Sequence, residues 1–338
     1  MPSFNFISRL IDDPDPVIIM PFGGYANQTS LVTCARVLED EGIQHHEDDS
    51  KLKNLWNSYK RFESDEIGGA TVRVSWADKS VMLTTDEEGY VYLQTDHGLD
   101  LSATDAPSFL ITFELLEKGR IIYQTNSSIY VTASSATFGV ISDVDDTILQ
   151  TGVTSTLKWR VLVNVLTKHS HQRLPLEGAG EFYERLHDGK TGMERNPFFY
   201  LSNSPWNIYD YLTSFLEKFE FPKGPLLLRD IDSKFLKKKG YETGHKYQSI
   251  LTILKMYPDL PFILIGDAGE IDIDIYVSIA KLFPDRIKSI CIRAVRKDSK
   301  TERVRQVMEE HPELDTVLIS NPDEALVFAK ERGYIDTV

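Results

Sequence analysis

Apolar residues follow two rhythms along the chain. Up to about residue 137 they form short runs parted by turn residues: VIIMPF, LVTCARVL, ATVRVSW, VMLTT, YVYLQ, ITFELL, RIIYQ and IYVTA. Short β-rich runs at this spacing predict an all-β, sandwich-like or barrel domain. One helical interruption, residues 51–62, sets Leu52, Leu55 and Trp56 on one side. From Phe138 the pattern becomes apolar strand then amphipathic helix, repeated: FGVISD, PFFYLSN, GPLLLRD, PFILIGD, RIKSICIR and TVLIS. That alternation predicts an α/β domain whose parallel sheet is covered on both faces. The expected organisation is a β-rich domain over residues 1–137 and an α/β domain over 138–338.

Sites on parallel sheets lie at the carboxyl ends of the strands, and four of the predicted strands end in chemistry-bearing residues. They are Asp143 with Asp145, Ser202 with Asn203, Arg229 with Asp230, and Asp267. Asp143 and Asp145 stand at alternate positions, followed by Thr147, so the strand end aims two acids at one point. That is the layout of an aspartate nucleophile beside its proton-transfer partner. Two such carboxylates repel when both are ionised, which favours a shared cation or a shared proton.

Splitting a phosphate ester needs a nucleophile, a proton donor for the leaving oxygen and positive charge around the phosphoryl oxygens. Asp143 is the expected nucleophile, forming an aspartyl phosphate, and Asp145 the acid and then base. Ser202 and Lys246 are expected to contact the phosphoryl group. Asp267, in IGDAGEID, is the natural third oxygen ligand for Mg²⁺ beside Asp143 and Asp145. Asp272 either binds metal through water or holds Lys246. Thr147, Asn203 and Arg229 are candidates for substrate contact, Arg229 having a salt bridge with Asp230 as its rival role.

Composition narrows the partners. The net charge is −14, with 21 acidic and 10 basic residues in 1–137 against 30 and 27 in 138–338, or −11 and −3. Without a clustered basic face the chain is not expected to bind nucleic acid, whose affinity rests on phosphate neutralisation. Cys34 and Cys291 have no zinc-site spacing and lie in different predicted domains. No apolar run approaches the roughly 20 residues of a membrane span, and the first residues lack a signal-peptide pattern. A cytoplasmic location is expected. His45 and His46 lie in an acidic stretch without a third ligand at fixed spacing.

The ordered set Asp143, Ser202, Lys246, Asp267, Asp272 resembles the haloacid-dehalogenase superfamily of phosphohydrolases, whose four motifs run in this order. Within it, SDVDDTILQTGVT, YLSNSPWNIYDYL, KGPLLLRD, GHKYQSILTILKMYPDLPFILIGDAGEIDIDIY and ERGYID resemble the bacterial and fungal family of actin-patch-type phosphatidate phosphatases. GYANQTSLVTCARVL is similar, more weakly, to that family's β-rich N-terminal region. The resemblance implies a Rossmann-like sheet of the haloacid-dehalogenase type and the roles already given for Asp143, Asp145, Ser202, Lys246 and Asp267. It implies for Asp272 a water-mediated or supporting place. The sequence departs from the family at Asn203 and Glu270, where Ser-like and Gln-like residues are expected. The extra acid at Glu270 is expected to alter metal affinity or substrate preference.

Only 50 residues separate Thr147 from Phe198, and the gap from Asn203 to Lys246 holds a helix, a strand and a loop. Neither leaves room for more than a minimal cap. An open site suits a bulky phosphate ester, a lipid or a phosphoprotein, better than a small sugar phosphate. A segment near 155–167 mixes Leu157, Trp159, Val161 and Leu162 with Lys158 and Arg160. It either rests at a membrane surface as a peripheral contact or packs on its own domain. Lys237, Lys238 and Lys239 add positive charge near the predicted site. The leading expectation is thus a Mg²⁺-dependent phosphatase acting on phosphatidate or a related lipid phosphate. The alternatives are a phosphatase of soluble or protein phosphoesters, and a phosphate- or partner-binding module without turnover.

Overall fold

A computed structural model describes residues 16–39, 65–101, 106–144, 178–229, 244–294 and 299–336. The chain divides into two compact units, Met1–Val131 and Thr132–Val338. No helix among the described residues is long and apolar enough to cross a membrane.

In the first unit seven strands form one sheet: β1 (Val17–Ala26), β2 (Ser30–Glu39), β3 (Thr71–Trp76), β4 (Lys79–Thr84), β5 (Tyr90–Asp96), β6 (Ser108–Glu117) and β7 (Arg120–Val131). Their order is β4-β3-β6-β7-β1-β2-β5, antiparallel except where β1 runs parallel to β7. Alternation builds its inner face, as in β3, where Val72, Val74 and Trp76 are buried and the residues between them are not. One core gathers Val74 of β3 and Leu93 of β5, strands from opposite halves of the ladder, with Leu31, Phe113 and Ile129. Trp76 Nε1 also donates to the His97 carbonyl at 2.9 Å, joining the end of β3 to the residue after β5. The sheet therefore folds over onto itself. The layered packing expected of a two-sheet sandwich is supplied here by one continuous ladder. RIIYQ and IYVTA, expected as separate strands, are two ends of β7, whose polar middle pairs with β6 from Thr112↔Asn126 to Leu110↔Ser128.

The second unit carries β8 (Gly139–Asp143), β9 (Phe198–Pro205), β10 (Leu226–Arg229), β11 (Phe262–Asp267), β12 (Ile287–Arg293) and β13 (Thr316–Ile319). All pair in parallel in the order β10-β9-β8-β11-β12-β13. Every residue of β8 and β11 is buried, which is why both read as unbroken apolar runs rather than alternating ones. The helices are α1 (Ala179–Asp188), α2 (Tyr209–Lys218), α3 (His245–Met256), α4 (Asp272–Leu282), α5 (Ser299–Glu310) and α6 (Pro322–Glu331). From β8 the chain builds outward through β9 to β10, then returns to place β11 on the other flank of β8. Such a reversal opens a crevice beyond the strand ends on either side of the first strand, where ligands of doubly wound sheets bind.

Candidate active site

The last two residues of β8 serve opposite faces of the sheet. Ser142 Oγ lies 2.7 Å from Tyr183 Oη of α1, whereas Asp143 Oδ1 lies 2.7 Å from Lys246 Nζ of α3. Since neighbouring strand residues point to opposite sides, α1 and α3 flank β8 on different faces.

Lys246 joins three acids. Its Nζ stands 2.7 Å from Asp143 Oδ1, 2.7 Å from Glu270 Oε2 and 2.8 Å from Asp272 Oδ1. The residue is 2% exposed, so it is no solvated helix-start lysine. It sits in the first turn of α3, where the helix dipole disfavours a cation. Burial also works against its charge, yet Asp143, Asp272 and Glu270 together hold the ammonium pKa well above its usual value. Burial raises the Asp272 carboxyl pKa from its usual value; Lys246 opposes that shift and the nearby Glu270 adds to it.

Asp272 opens α4, and its Oδ2 accepts from the Asp267 backbone N–H at 3.1 Å. One carboxylate thus links α3, α4 and the end of β11. Gly266 makes that approach feasible, because a Cβ there would stand 2.7 Å from Asp272 Cβ and 2.8 Å from Tyr276 Cε2. The Asp267 carboxylate turns back to accept from Gly269 N–H at 2.5 Å. Beside β8, Ser202 of β9 is fully buried, and its Oγ accepts from Ser204 N–H at 2.9 Å. The next residue, Asn203, donates from Nδ2 to Glu270 Oε2 at 3.0 Å.

Asp143, Asn203, Lys246, Glu270 and Asp272 are thus in direct contact, with Asp267 tied in through its backbone. Arg229, whose charge acts on His245, ends the edge strand β10 with Pro205 as its register partner. Among the described residues its Nε has no hydrogen-bond partner. Asp145, Thr147, Asp230, the 155–167 segment, Lys237, Lys238, Lys239, His45 and His46 lie outside the described residues. Sequence reasoning missed Gly266 and the direct bond from Glu270 to Lys246. A glycine just before a strand-end acid was the available sign of close helix approach.

His245, next to Lys246, places Nε2 3.1 Å from the Leu227 carbonyl, which fixes the proton on that nitrogen. Surrounding protein atoms push its pKa down to about 4, so the imidazole is neutral near pH 7.

The donor chemistry suits a hard divalent cation. Asp143, Glu270 and Asp272 offer oxygens within 4.8 Å of one another, and the Lys246 ammonium already bridges these three. Three carboxylates against one ammonium still leave negative charge in excess, and Asp267 adds to it. Carboxylate oxygens carrying excess negative charge are what Mg²⁺ selects, and here the ammonium offsets only part of that charge.

Residues 138–294 match the family model described as "Phosphatidate phosphatase APP1, catalytic domain". The protein named Phosphatidate phosphatase APP1 of Saccharomyces cerevisiae is 37% identical over 156 residues, 46% of this chain and 25% of that protein. Protein C29B5.04c of Schizosaccharomyces pombe, described as uncharacterized, is 26% identical over 278 residues, 81% of this chain and 41% of that protein. The second likeness is longer than the whole second unit, so it runs into the first. The chain spans less than half the length of both curated relatives. Among solved structures, a carbohydrate acetylesterase from Xanthomonas citri superposes with a TM-score of 0.31 at 9% identity, covering 93% of this chain and 75% of that one. Superposition at that level does not establish a common fold.

Proposed function

We propose that the chain is a phosphomonoester hydrolase of the haloacid-dehalogenase type, dependent on Mg²⁺ and acting on phosphatidate or a related lipid phosphate. The observation that carries this reading is the Asp143 carboxylate at the end of the central strand, bonded to a buried lysine, inside a segment similar to a phosphatidate phosphatase catalytic domain. A carboxylate there is held by the neighbouring Lys246 ammonium. In the proposed reaction Asp143 attacks phosphorus, and the ester oxygen leaves with a proton from Asp145. Asp145 then takes a proton from the water that hydrolyses the aspartyl phosphate. Lys246 and Ser202 steady the phosphoryl oxygens, and Asp272 holds Lys246 in place. Asp143, Asp145 and Asp267 would hold the metal, which when bound offsets charge on the phosphoryl oxygens.

Purified full-length protein given phosphatidate, lysophosphatidate and soluble phosphoesters with Mg²⁺ is expected to release phosphate, fastest from the lipids. Asp143→Asn is expected to lower release by at least about 10³-fold, the scale seen when a covalent nucleophile is removed. Faster release from a soluble ester would keep the chemistry and reject the lipid. Equal inactivity of both proteins on every ester would reject the enzyme in favour of a binding module.

A further inference from the structure

Three carboxylates close around the Lys246 ammonium. It donates to Glu270 Oε2 at 2.7 Å and to Asp272 Oδ1 at 2.8 Å, while Asp143 Oδ1 stands 2.7 Å away as an ion-pair partner without a hydrogen bond to it. An anionic group that takes the proton Lys246 gives to Glu270 must displace that carboxylate. The three holders differ in how readily they yield. The side chains of Asp143 and Asp272 are 0% exposed and that of Glu270 is 19% exposed. Asp143 belongs to the central strand, and Asp272 is fastened to the Asp267 backbone. Glu270 lies in the turn between β11 and α4, immediately after Gly269. Its Oε2 also accepts from Asn203 Nδ2 at 3.0 Å, so a second donor retains it when the first is lost.

We propose that Glu270 is a latch on Lys246: its carboxylate occupies the outward side of the ammonium until a dianionic phosphoryl group displaces it, with Asn203 holding the displaced side chain. This rests on the phosphatase reading only in naming phosphoryl as the displacing anion. The latch makes phosphate binding an exchange of one anion for another on the proton that Lys246 gives to Glu270. It selects ligands whose charge and acceptor strength exceed those of a carboxylate. Glu270 acts through Lys246 and is in this sense a positioning residue. The source of the phosphoryl group, a lipid headgroup or free phosphate, separates in the measurements below.

The test uses the full chain at saturating Mg²⁺, with inorganic phosphate as the probe. Its dissociation constant is measured by phosphorus NMR or calorimetry, and KM by release from a phosphomonoester. Glu270→Gln keeps the shape and accepts more weakly, so phosphate is expected to bind about three- to tenfold tighter, the scale of one ordinary net hydrogen bond. KM for the ester is expected to fall in step. Glu270→Asp keeps the charge but shortens the reach to Lys246, and it too is expected to tighten phosphate. Damage to the fold cannot raise affinity, so a gain in both variants supports the latch. Tightening by Glu270→Gln alone would mean simple charge repulsion and overturn it. Unchanged or weaker binding in Glu270→Gln would also overturn it, while a wild-type chain that still hydrolyses esters keeps the phosphatase reading. If the wild type neither binds phosphate nor hydrolyses any ester, both fail. Tighter phosphate with no change in KM for the lipid ester would overturn the latch for lipid headgroups.

Discussion

At His245 and Lys246 two neighbouring side chains are forced into opposite charge states by what surrounds them. Lys246 keeps its proton because three carboxylates outweigh burial, whereas His245 loses its own because burial is offset by one carbonyl only. The second case predicts a pH dependence of folding. The unfolded imidazole takes a proton near pH 6.5, while the folded one resists until about pH 4. Between these values the unfolded chain binds more protons, so stability is complete above pH 6.5 and falls as pH drops toward 4. His245→Gln, which still donates to Leu227, removes this component. Urea unfolding of both proteins from pH 7 to 4.5 is expected to show the wild type losing on the order of 2 kcal/mol relative to the variant, a figure reduced for the ring's partial exposure. Parallel pH profiles would refute it. The acids at this site were legible in the sequence because strand-end carboxylates need no tertiary information to be found. What each one touches was not, since Glu270 reaches Lys246 only through the turn that Gly269 helps to make.

Among the elements, the junction of β11 with α4 is the most constrained. Gly266→Ala places a methyl group within 2.8 Å of Asp272 and Tyr276, so α4 must retreat from the strand. The expected loss is about 1–3 kcal/mol, the range for overpacking a core. Activity is expected to drop further than stability explains, because Asp272 carries Lys246 with it. Thermal melts beside kcat at a temperature where the variant stays folded would separate the two, and a variant with normal kcat would show that Asp272 is not needed in register. The six strands of the second sheet were legible because burial on both faces turns them into plain apolar runs. β7 was not legible as one strand, since Thr125 to Ser128 lack apolar side chains. Their backbone groups nonetheless pair with β6, and ladder hydrogen bonds are blind to side-chain polarity.

For the molecule as a whole, charge sets the approach to substrate. A chain of net charge −14 is repelled by an anionic surface at long range. If phosphatidate is hydrolysed from anionic vesicles, raising salt from about 10 mM to 150 mM, which shortens the Debye length from roughly 30 to 8 Å, is expected to speed the reaction. The same lipid in neutral detergent micelles is expected to show little salt effect. A marked fall with salt on anionic vesicles would instead reveal a basic face stronger than the net charge, with residues 158–173, 237–239 and 293–305 among the stretches rich in Lys and Arg. Composition gave the repulsion, but not which surface meets the lipid, because no linear count fixes the arrangement of side chains in space.

The return of the chain to the far flank of β8 has a consequence for synthesis. Asp143 leaves the ribosome early, whereas Lys246 and Asp272 follow roughly a hundred residues or more behind it, and closing so long a loop is slow. A nascent chain interrupted before α3 therefore carries its foremost acid without the Lys246 that stands against it. If the proposed chemistry holds, fragments that end before α3 are expected to release no phosphate from an ester that the full chain hydrolyses.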